Sequence, residues 1–489
     1  MKRFNFKLVS LVIGALLLIE STFIVLSGIV AYAYQGADAP FFLYSFLITL
    51  GTGTIFLTIG RRAEKKIGNR EGYMIVSLVW VIFSLFGALP FYLSGYIPSY
   101  TDAFFETMSG FTTTGSSILT EIESLPHGIL FWRSLTQWLG GMGIIVLSLA
   151  ILPLFGIGGA QLFTAEATGP TYAKLRPRIK DTAKILWTIY LLLTVGEFIL
   201  LMIFGMNWFD ACNHAFTTMA TGGYSTKNAS IAAFNSPAIE YVIIIFMFLA
   251  GVNFSMLYYL MYGKFNKLFK DEELKWYTWA VIIFSAIVAS SIIFQQYTAT
   301  HQYDVEKAIR VALFQIVSLI TTTGYATADY MTWLPTSLLI CILIMLPGGS
   351  AGSTAGGVKW VRIIIFIKNG YYEFKRLIHP NAVIPVRFNK TSIPVKVINN
   401  VSAFIVIYIS IIVISVFVFC AMGVGISESV GATFTSISNV GPGIGASGPV
   451  GNFAHFPMLG KWLMAFLMLI GRLELFTVLS LFLPIFWKR

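Results

Sequence analysis

Four short stretches rich in threonine and glycine carry the one piece of chemistry that this sequence repeats. They read Glu106-Thr-Met-Ser-Gly-Phe-Thr-Thr-Thr-Gly115, Asn213-His-Ala-Phe-Thr-Thr-Met-Ala-Thr-Gly222, Gln315-Ile-Val-Ser-Leu-Ile-Thr-Thr-Thr-Gly324 and Ala432-Thr-Phe-Thr-Ser-Ile-Ser-Asn-Val-Gly441. Aligned on the last glycine they superpose without a gap, and those glycines fall 107, 102 and 117 residues apart. Repetition at a near-fixed offset is the mark of a duplicated unit. The ends of the stretches are Thr113-Thr114-Gly115, Ala220-Thr221-Gly222, Thr322-Thr323-Gly324 and Asn439-Val440-Gly441. They offer backbone carbonyls, with threonine hydroxyls beside them. A ring of such carbonyls can replace the water shell of a dehydrated cation, as potassium filters do. Glycine suits the place because turning successive carbonyls inward needs dihedrals that a Cβ forbids. One such stretch is a weak signal; four in register are a strong one.

The elements that must position these stretches follow from membrane physics. Each is preceded by an amphipathic half-helix of about ten residues, too short to cross a bilayer. Such a helix enters from one side and stops midway, which aims its partly negative C-terminus at the centre. An irregular backbone at that depth is tolerated only where protein or a water-filled path satisfies its polar groups.

The chain has the composition for this. It is 56% hydrophobic and 11% charged, against about 25% charged in soluble domains, so most of it must face lipid. Apolar runs long enough to span recur throughout, and no stretch reads as an appended globular domain. The run over 8–30 is longer than the apolar part of a signal peptide, so it is expected to be a retained helix.

The net charge of +11 does not point to nucleic acid, because 27 of the 33 basic residues fall in six clusters. These lie at Lys2–Lys7, 61–70, 174–184, 264–275, 359–396 and the last two residues, with two spanning segments between successive clusters. The Lys/Arg excess marks cytoplasmic loops, which puts all six clusters and both termini inside. The outer segments carry acids instead, among them Asp38, Asp102, Glu106, Asp210, Asp304, Asp329 and Glu428. A negative outer face would concentrate cations, and ordinary topology bias is the plainer account.

Three cysteines (Cys212, Cys341, Cys420) and five histidines have no metal-ligand or disulfide spacing, so neither is expected, and the cysteines read as buried apolar residues. No nucleophile–base pair or cofactor fingerprint is visible either, and an enzyme is not expected.

Every first helix starts at an inner basic cluster and every second helix ends at one, so the repeats run parallel about an axis along the membrane normal. The expected fold is an all-α polytopic membrane protein. A two-helix hairpin (1–70, helices near 8–34 and 40–60) precedes four helix–pore loop–helix repeats around a pseudo-fourfold pore, at 71–180, 181–275, 276–392 and 393–489.

Repeat three is interrupted by eleven residues, Pro347-Gly-Gly-Ser-Ala-Gly-Ser-Thr-Ala-Gly-Gly357. Glycines 348, 349, 352, 356 and 357 make this a poor helix, and the lack of Gly-Lys-Ser/Thr or a preceding strand excludes a phosphate loop. A mobile gating loop across the path, with Gly348, Gly349, Gly352, Gly356 and Gly357 as its flexible points, is preferred over a packed kink. Arg472, inside the last spanning helix, must face a cavity or a partner. It is expected below the filter as a barrier or loop anchor, with an ion pair to Glu197 as the plainer alternative. Glu474 is a poor partner for it at a spacing of two. Glu20, in the first helix, has no reading from sequence.

The four stretches resemble those of the Trk/Ktr/HKT superfamily of potassium transporters, and the two-helix preface resembles its bacterial TrkH branch. Three inner-loop motifs agree with this: Leu152-Pro-Leu-Phe-Gly-Ile-Gly-Gly-Ala-Gln-Leu162, Ala165-Glu-Ala-Thr-Gly-Pro170 and Lys174-Leu-Arg-Pro-Arg178. So does Gly471-Arg-Leu-Glu474 in the last helix. The resemblance covers essentially the whole chain. It implies potassium uptake across the bacterial inner membrane, with K+ held at the filter carbonyls only and no cofactor. It also implies a homodimer with one pore per protomer and a cytosolic nucleotide-binding ring of the TrkA type. In that superfamily glycine in all four dips accompanies potassium selectivity, and serine in the first admits sodium; this chain has Gly115 there. A proton- or sodium-coupled secondary transporter is the alternative. The basic loops 174–184 and 368–396 are plausible docking surfaces for an acidic regulator or anionic lipid.

Overall fold

A computed structural model describes residues 4–64, 68–141, 143 and 179–487. Two antiparallel helices lead, α1 (Phe6–Ala33) and α2 (Ala39–Gly60). They pack closely because Gly14 and Gly60 lack side chains: a Cβ on Gly14 would lie 2.6 Å from the Leu57 amide nitrogen, and one on Gly60 2.5 Å from that of Leu11. Small residues at crossings are how helices approach one another in lipid.

Four units follow, each with a long first helix and a half-helix. The first helices are α3 (Asn69–Gly87, prolonged by the turn Leu89–Leu93), α6 (Ile179–Ile203), α10 (Glu272–Thr300) and α14 (Val395–Ala421). The half-helices are α4 (Tyr100–Phe111), α7 (Trp208–Met219), α11 (Val305–Ile320) and α15 (Ile426–Ser438). Three half-helices start at a side-chain cap, where Ser99, Asn207 and Asp304 accept from the N–H of Asp102, Asp210 and Lys307. Such caps satisfy donors that a helix start leaves free.

Among the described residues, six helices are long and apolar enough to cross a membrane, namely α1, α2 and the first helix of each unit. Phe417 on α14 is 74% exposed, which only lipid accommodates at low cost. The chain is thus a helical membrane protein.

The second helices are α5 (His127–Gly141), α8 (Pro237–Gly251), α12 (Pro335–Ile344) and α16 (Met458–Leu473). Helix α5 runs to the edge of the described residues, and the other three depart from the simple spanning helix expected. After Gly251 the chain turns by 112° into α9 (Phe254–Met261), and after Leu473 by 116° into Leu475–Phe482. Asn253 caps the new helix by accepting from the Ser255 N–H at 2.8 Å, and Glu474 takes a left-handed φ of +62° at the other bend. Helix α12 ends before the glycine-rich stretch, beyond which α13 (Trp360–Ile378) begins.

A two-stranded ribbon, β1 (Arg387–Phe388) against β2 (Thr391–Ser392), departs from the all-α reading. Asn389 and Lys390 both have positive φ, the turn that matches the twist of a tight hairpin. Helix α5 is tied to the leading hairpin by Asp38, which accepts from the Ile129 N–H at 3.1 Å, a carboxylate at the positive end of a helix.

Candidate functional site

The half-helices all end in the same way. One residue past the last turn, Thr113, Thr221, Thr322 and Asn439 have φ between +54° and +58°. The next residue in each copy donates five residues back: Thr114 to Ser109, Gly222 to Thr217 and Thr323 to Ser318 at 2.8 Å, and Val440 to Thr435 at 3.0 Å. This pattern sets the register. Gly223, at φ +75°, stands where Gly115 and Gly324 stand at +84° and where Gly441 closes the fourth copy. Superposition on Gly222 is therefore one residue early in the second copy. The doubled glycine Gly222-Gly223 was the visible signal of that ambiguity.

The four segments touch in a closed cycle. A Cβ on Gly115 would strike the Gly222 carbonyl oxygen, and one on Gly223 would strike that of Thr323. One on Gly324 would lie 2.8 Å from the Gly441 nitrogen, and one on Gly441 would lie 3.2 Å from the Gly115 oxygen. Segment one meets two, two meets three, three meets four, and four meets one. The fourth-to-first joint also carries hydrogen bonds: Ser116 Oγ donates to the Gly441 carbonyl at 3.1 Å, and Asn439 Nδ2 donates to Thr114 Oγ1 at 2.9 Å. Thr113, Thr114, Ala220, Thr221, Thr322, Thr323 and Val440 are buried beside these glycines.

Behind the ring, each brace joins a segment to the unit before it. Tyr224 donates its hydroxyl to the Glu106 carbonyl at 2.7 Å, and Tyr325 donates to the His214 carbonyl at 3.2 Å. Glu106 and His214 both lie seven residues before the left-handed threonine of their own segment, so the two braces are one contact made twice. Gln137 on α5 holds the second segment with both ends of its amide. Its Nε2 donates to the Gly222 carbonyl at 2.7 Å and its Oε1 accepts from the Tyr224 N–H at 3.0 Å. The buried Arg133 pairs with Glu106 at 2.7 Å and stacks 3.6 Å from the Tyr224 ring centre. Sequence reasoning passed over Arg133, Gln137 and both tyrosines. A tyrosine straight after the glycine in two copies was the clue.

The acids expected on the outer face are partly structural. Glu106 is spent on Arg133, Ser117 and the Ile118 N–H, and Asp210 on Asn207 and Thr226. Asp102 pairs with Lys461 at 2.6 Å. These three do not form an open negative surface.

The glycine-rich stretch lies against the ends of three segments. The Gly356 N–H donates to Thr322 Oγ1 at 2.7 Å, and Thr354 Oγ1 donates to the Met219 carbonyl at 3.1 Å. A Cβ on Gly356 would lie 2.9 Å from that of Asn439. Gly348, Gly352 and Gly357 have φ of +67°, +75° and +75°, while Gly349 lies 2.9 Å, by the same Cβ measure, from the Gly251 oxygen. Arg472 reaches across: it donates to the Thr354 carbonyl at 2.6 Å and to those of Gly140 and Gly141 at 2.7 and 2.9 Å. It thereby joins the stretch to Gly140 and Gly141 of α5. Glu474 pairs with Arg362 at 2.6 Å. Lys359, counted above with an inner basic cluster, is buried instead, and its ammonium donates to the Ala355 carbonyl.

The motifs in 152–178, and basic residues 2, 3, 65, 66, 174, 176, 178, 488 and 489, lie outside the described residues. Cys341 is buried, whereas Cys212 and Cys420 are only partly so. Among the described residues, no group of three or more His, Cys, Asp or Glu could hold a metal ion.

Comparison with known proteins bears on the whole chain. Residues 41–488 match the TrkH family model, described as cation transport protein. The Trk system potassium uptake protein TrkH of Salmonella typhimurium is 39% identical over 493 residues, covering 99% of this chain and 100% of that protein. Its counterpart from Escherichia coli K12 is 38% identical with the same coverage. The crystal structure of the potassium transporter TrkH from Vibrio parahaemolyticus superposes with a TM-score of 0.86 at 34% identity, covering 99% of this chain and 100% of that one. With a match this long in both sequence and fold, the chain belongs to the TrkH family of cation transport proteins, a family of transporters and not of enzymes.

Proposed function

We propose that the chain is a potassium-selective uptake pore of a bacterial inner membrane. The closed cycle formed by Gly115, Gly222, Gly223, Thr323, Gly324 and Gly441 carries this reading. Four half-helices end at the cycle and leave their C-terminal dipoles directed at it, which favours a cation. The carbonyls of residues 113–115, 220–223, 322–324 and 439–441 then stand in for water around a potassium ion. Relatives named for potassium uptake support the choice of ion. The units 1–70, 71–180, 181–275, 276–392 and 393–489 are one hairpin and four parallel pore repeats, with both termini in the cytoplasm. Stretch 347–357, anchored by Arg472, is the gate beneath the filter. A homodimer and a TrkA-type nucleotide-binding subunit complete the assembly, and lipid surrounds it.

Ion-replacement flux in proteoliposomes tests the filter. The native chain is expected to pass potassium and rubidium in preference to sodium, and Gly115→Ser is expected to discriminate less. An unselective native flux, or a variant as selective as the native chain, ends the reading.

A second reading, potassium transport coupled to protons or sodium, is favoured by Glu197. It is fully buried in α6 with no ion-pair partner among the described residues, and Thr218 lies beside its carboxylate. Intramembrane acids commonly serve proton relays. A current that reverses at the potassium equilibrium potential supports the pore; a reversal displaced by a proton or sodium gradient supports coupling.

A further inference from the structure

Three consecutive acids at the start of α10, Asp271-Glu272-Glu273, hold the segment from the glycine-rich stretch to the ribbon at three separate places. Asp271 caps α10 by accepting from the Leu274 N–H at 2.8 Å, and its other oxygen accepts from Asn389 Nδ2 at 2.9 Å. The bond is reciprocated, since the Glu272 N–H donates to Asn389 Oδ1 at 2.8 Å. The Glu272 carboxylate pairs with Lys368 of α13 at 2.6 Å, and Lys368 also donates to the Arg387 carbonyl at 3.0 Å.

Glu273 is the innermost of the three and is 6% exposed. One of its oxygens, Oε1, accepts from the Ala351 N–H at 2.7 Å and from the Val361 N–H at 3.1 Å. Ala351 lies in the middle of the glycine-rich stretch and Val361 in the first turn of α13. A single carboxylate oxygen thus closes both arms onto one rigid helix. Two bonds to one acceptor oxygen tie both arms to the same point, and a stretch so rich in glycine has little preference of its own to hold it in place.

We propose that Glu273 is a positioning residue of the gate: it holds the 347–357 stretch under the filter, and the three-acid clasp transmits movement of the ribbon and α13 to that stretch. The proposal rests on the pore reading above. A regulator that shifts the ribbon would pull on Asn389 and Lys368, and the load would reach Ala351 through one helix end.

The full chain in proteoliposomes tests this by two readouts. Glu273→Leu keeps the volume and removes both acceptors; Glu273→Gln keeps an acceptor oxygen. The leucine variant is expected to raise potassium flux about tenfold, near the low end for losing two hydrogen bonds, with an unchanged potassium-to-sodium ratio. The glutamine variant is expected to stay near the native level. In a chain with Cys212, Cys341 and Cys420 replaced by serine, Ser353→Cys reports the stretch directly, through its rate of modification by a charged thiol reagent from the inner side. Glu273→Leu should speed that reaction about tenfold. Asn389→Ala, on the exposed ribbon, loses its bonds to Asp271 and to the Glu272 N–H and should shift both readouts in the same direction by about fivefold, the low end for two hydrogen bonds.

Native flux and native labelling in the leucine variant would overturn the proposal. So would an altered ion ratio, or a glutamine variant no better than leucine. An Asn389→Ala variant indistinguishable from native would remove the transmission through the ribbon. If the native chain shows no potassium selectivity the pore reading fails, while the labelling rate still reports whether Glu273 holds the stretch.

Discussion

At the scale of single residues, the ring is sensitive to anything larger than hydrogen. Gly223 has the left-handed φ and faces the Thr323 carbonyl, whereas a Cβ on Gly222 would meet the amide of Gln137. Gly223→Ala is therefore expected to degrade the potassium-to-sodium permeability ratio more than Gly222→Ala, as measured from bi-ionic reversal potentials. Equal effects would contradict the register derived from the backbone. Arg133→Met leaves Glu106 buried without its charge partner, and removal of one member of a buried pair costs about 3–5 kcal/mol. Its melting temperature in detergent should fall accordingly. Arg472→Gln is expected to raise flux, because one side chain ties Thr354 to Gly140 and Gly141. Unchanged flux would remove Arg472 from the gate.

At the scale of elements, the glycine-rich stretch and the bent second helices belong together. Helix α8 turns at Gly251, whose carbonyl accepts from the Ser350 N–H at 2.9 Å, so one bend supplies the socket for the neighbouring interruption. Gly348→Ala and Gly357→Ala, at positive φ, are expected to alter open probability in single-channel records while leaving ion preference intact. Loss of preference with normal gating would reverse the assignment. Much of this level was readable beforehand. The four half-helices, their glycine-ended dips and the interruption at 347–357 follow from threonine, glycine and length alone. The bends at Val252-Asn253 and Glu474 were not readable, since neither site carries proline or a glycine run, and a hydropathy window does not register direction. Nor was the one-residue register of the second dip, because Thr221-Gly222 mimics Thr323-Gly324 until the backbone dihedrals are known. The partners of Arg133 and Gln137 lie some ninety residues away in the chain, at Ser225 and Gly222, a distance over which no local pattern speaks.

At the scale of the whole molecule, the basic residues expected on the inner face divide into those already paired and those exposed. Lys368 is held by Glu272, Arg362 by Glu474 and Arg376 by Glu373. Lys390 and Lys396 are exposed. Reversing both to glutamate is expected to weaken capture of the proposed TrkA-type subunit in a salt-dependent way, measured by co-purification across a range of ionic strength; binding indifferent to both would move the docking surface elsewhere. The tyrosine brace supplies a last point. It occurs behind two segments, while Ser116 and Pro442 stand in the corresponding places of the other two. In the proposed pore all four walls are encoded in one polypeptide, so a codon change touches a quarter of the ion's coordination sphere, where an assembly of four identical subunits would suffer the change four times. Preference among alkali ions can therefore drift by small steps in such a lineage, one wall at a time.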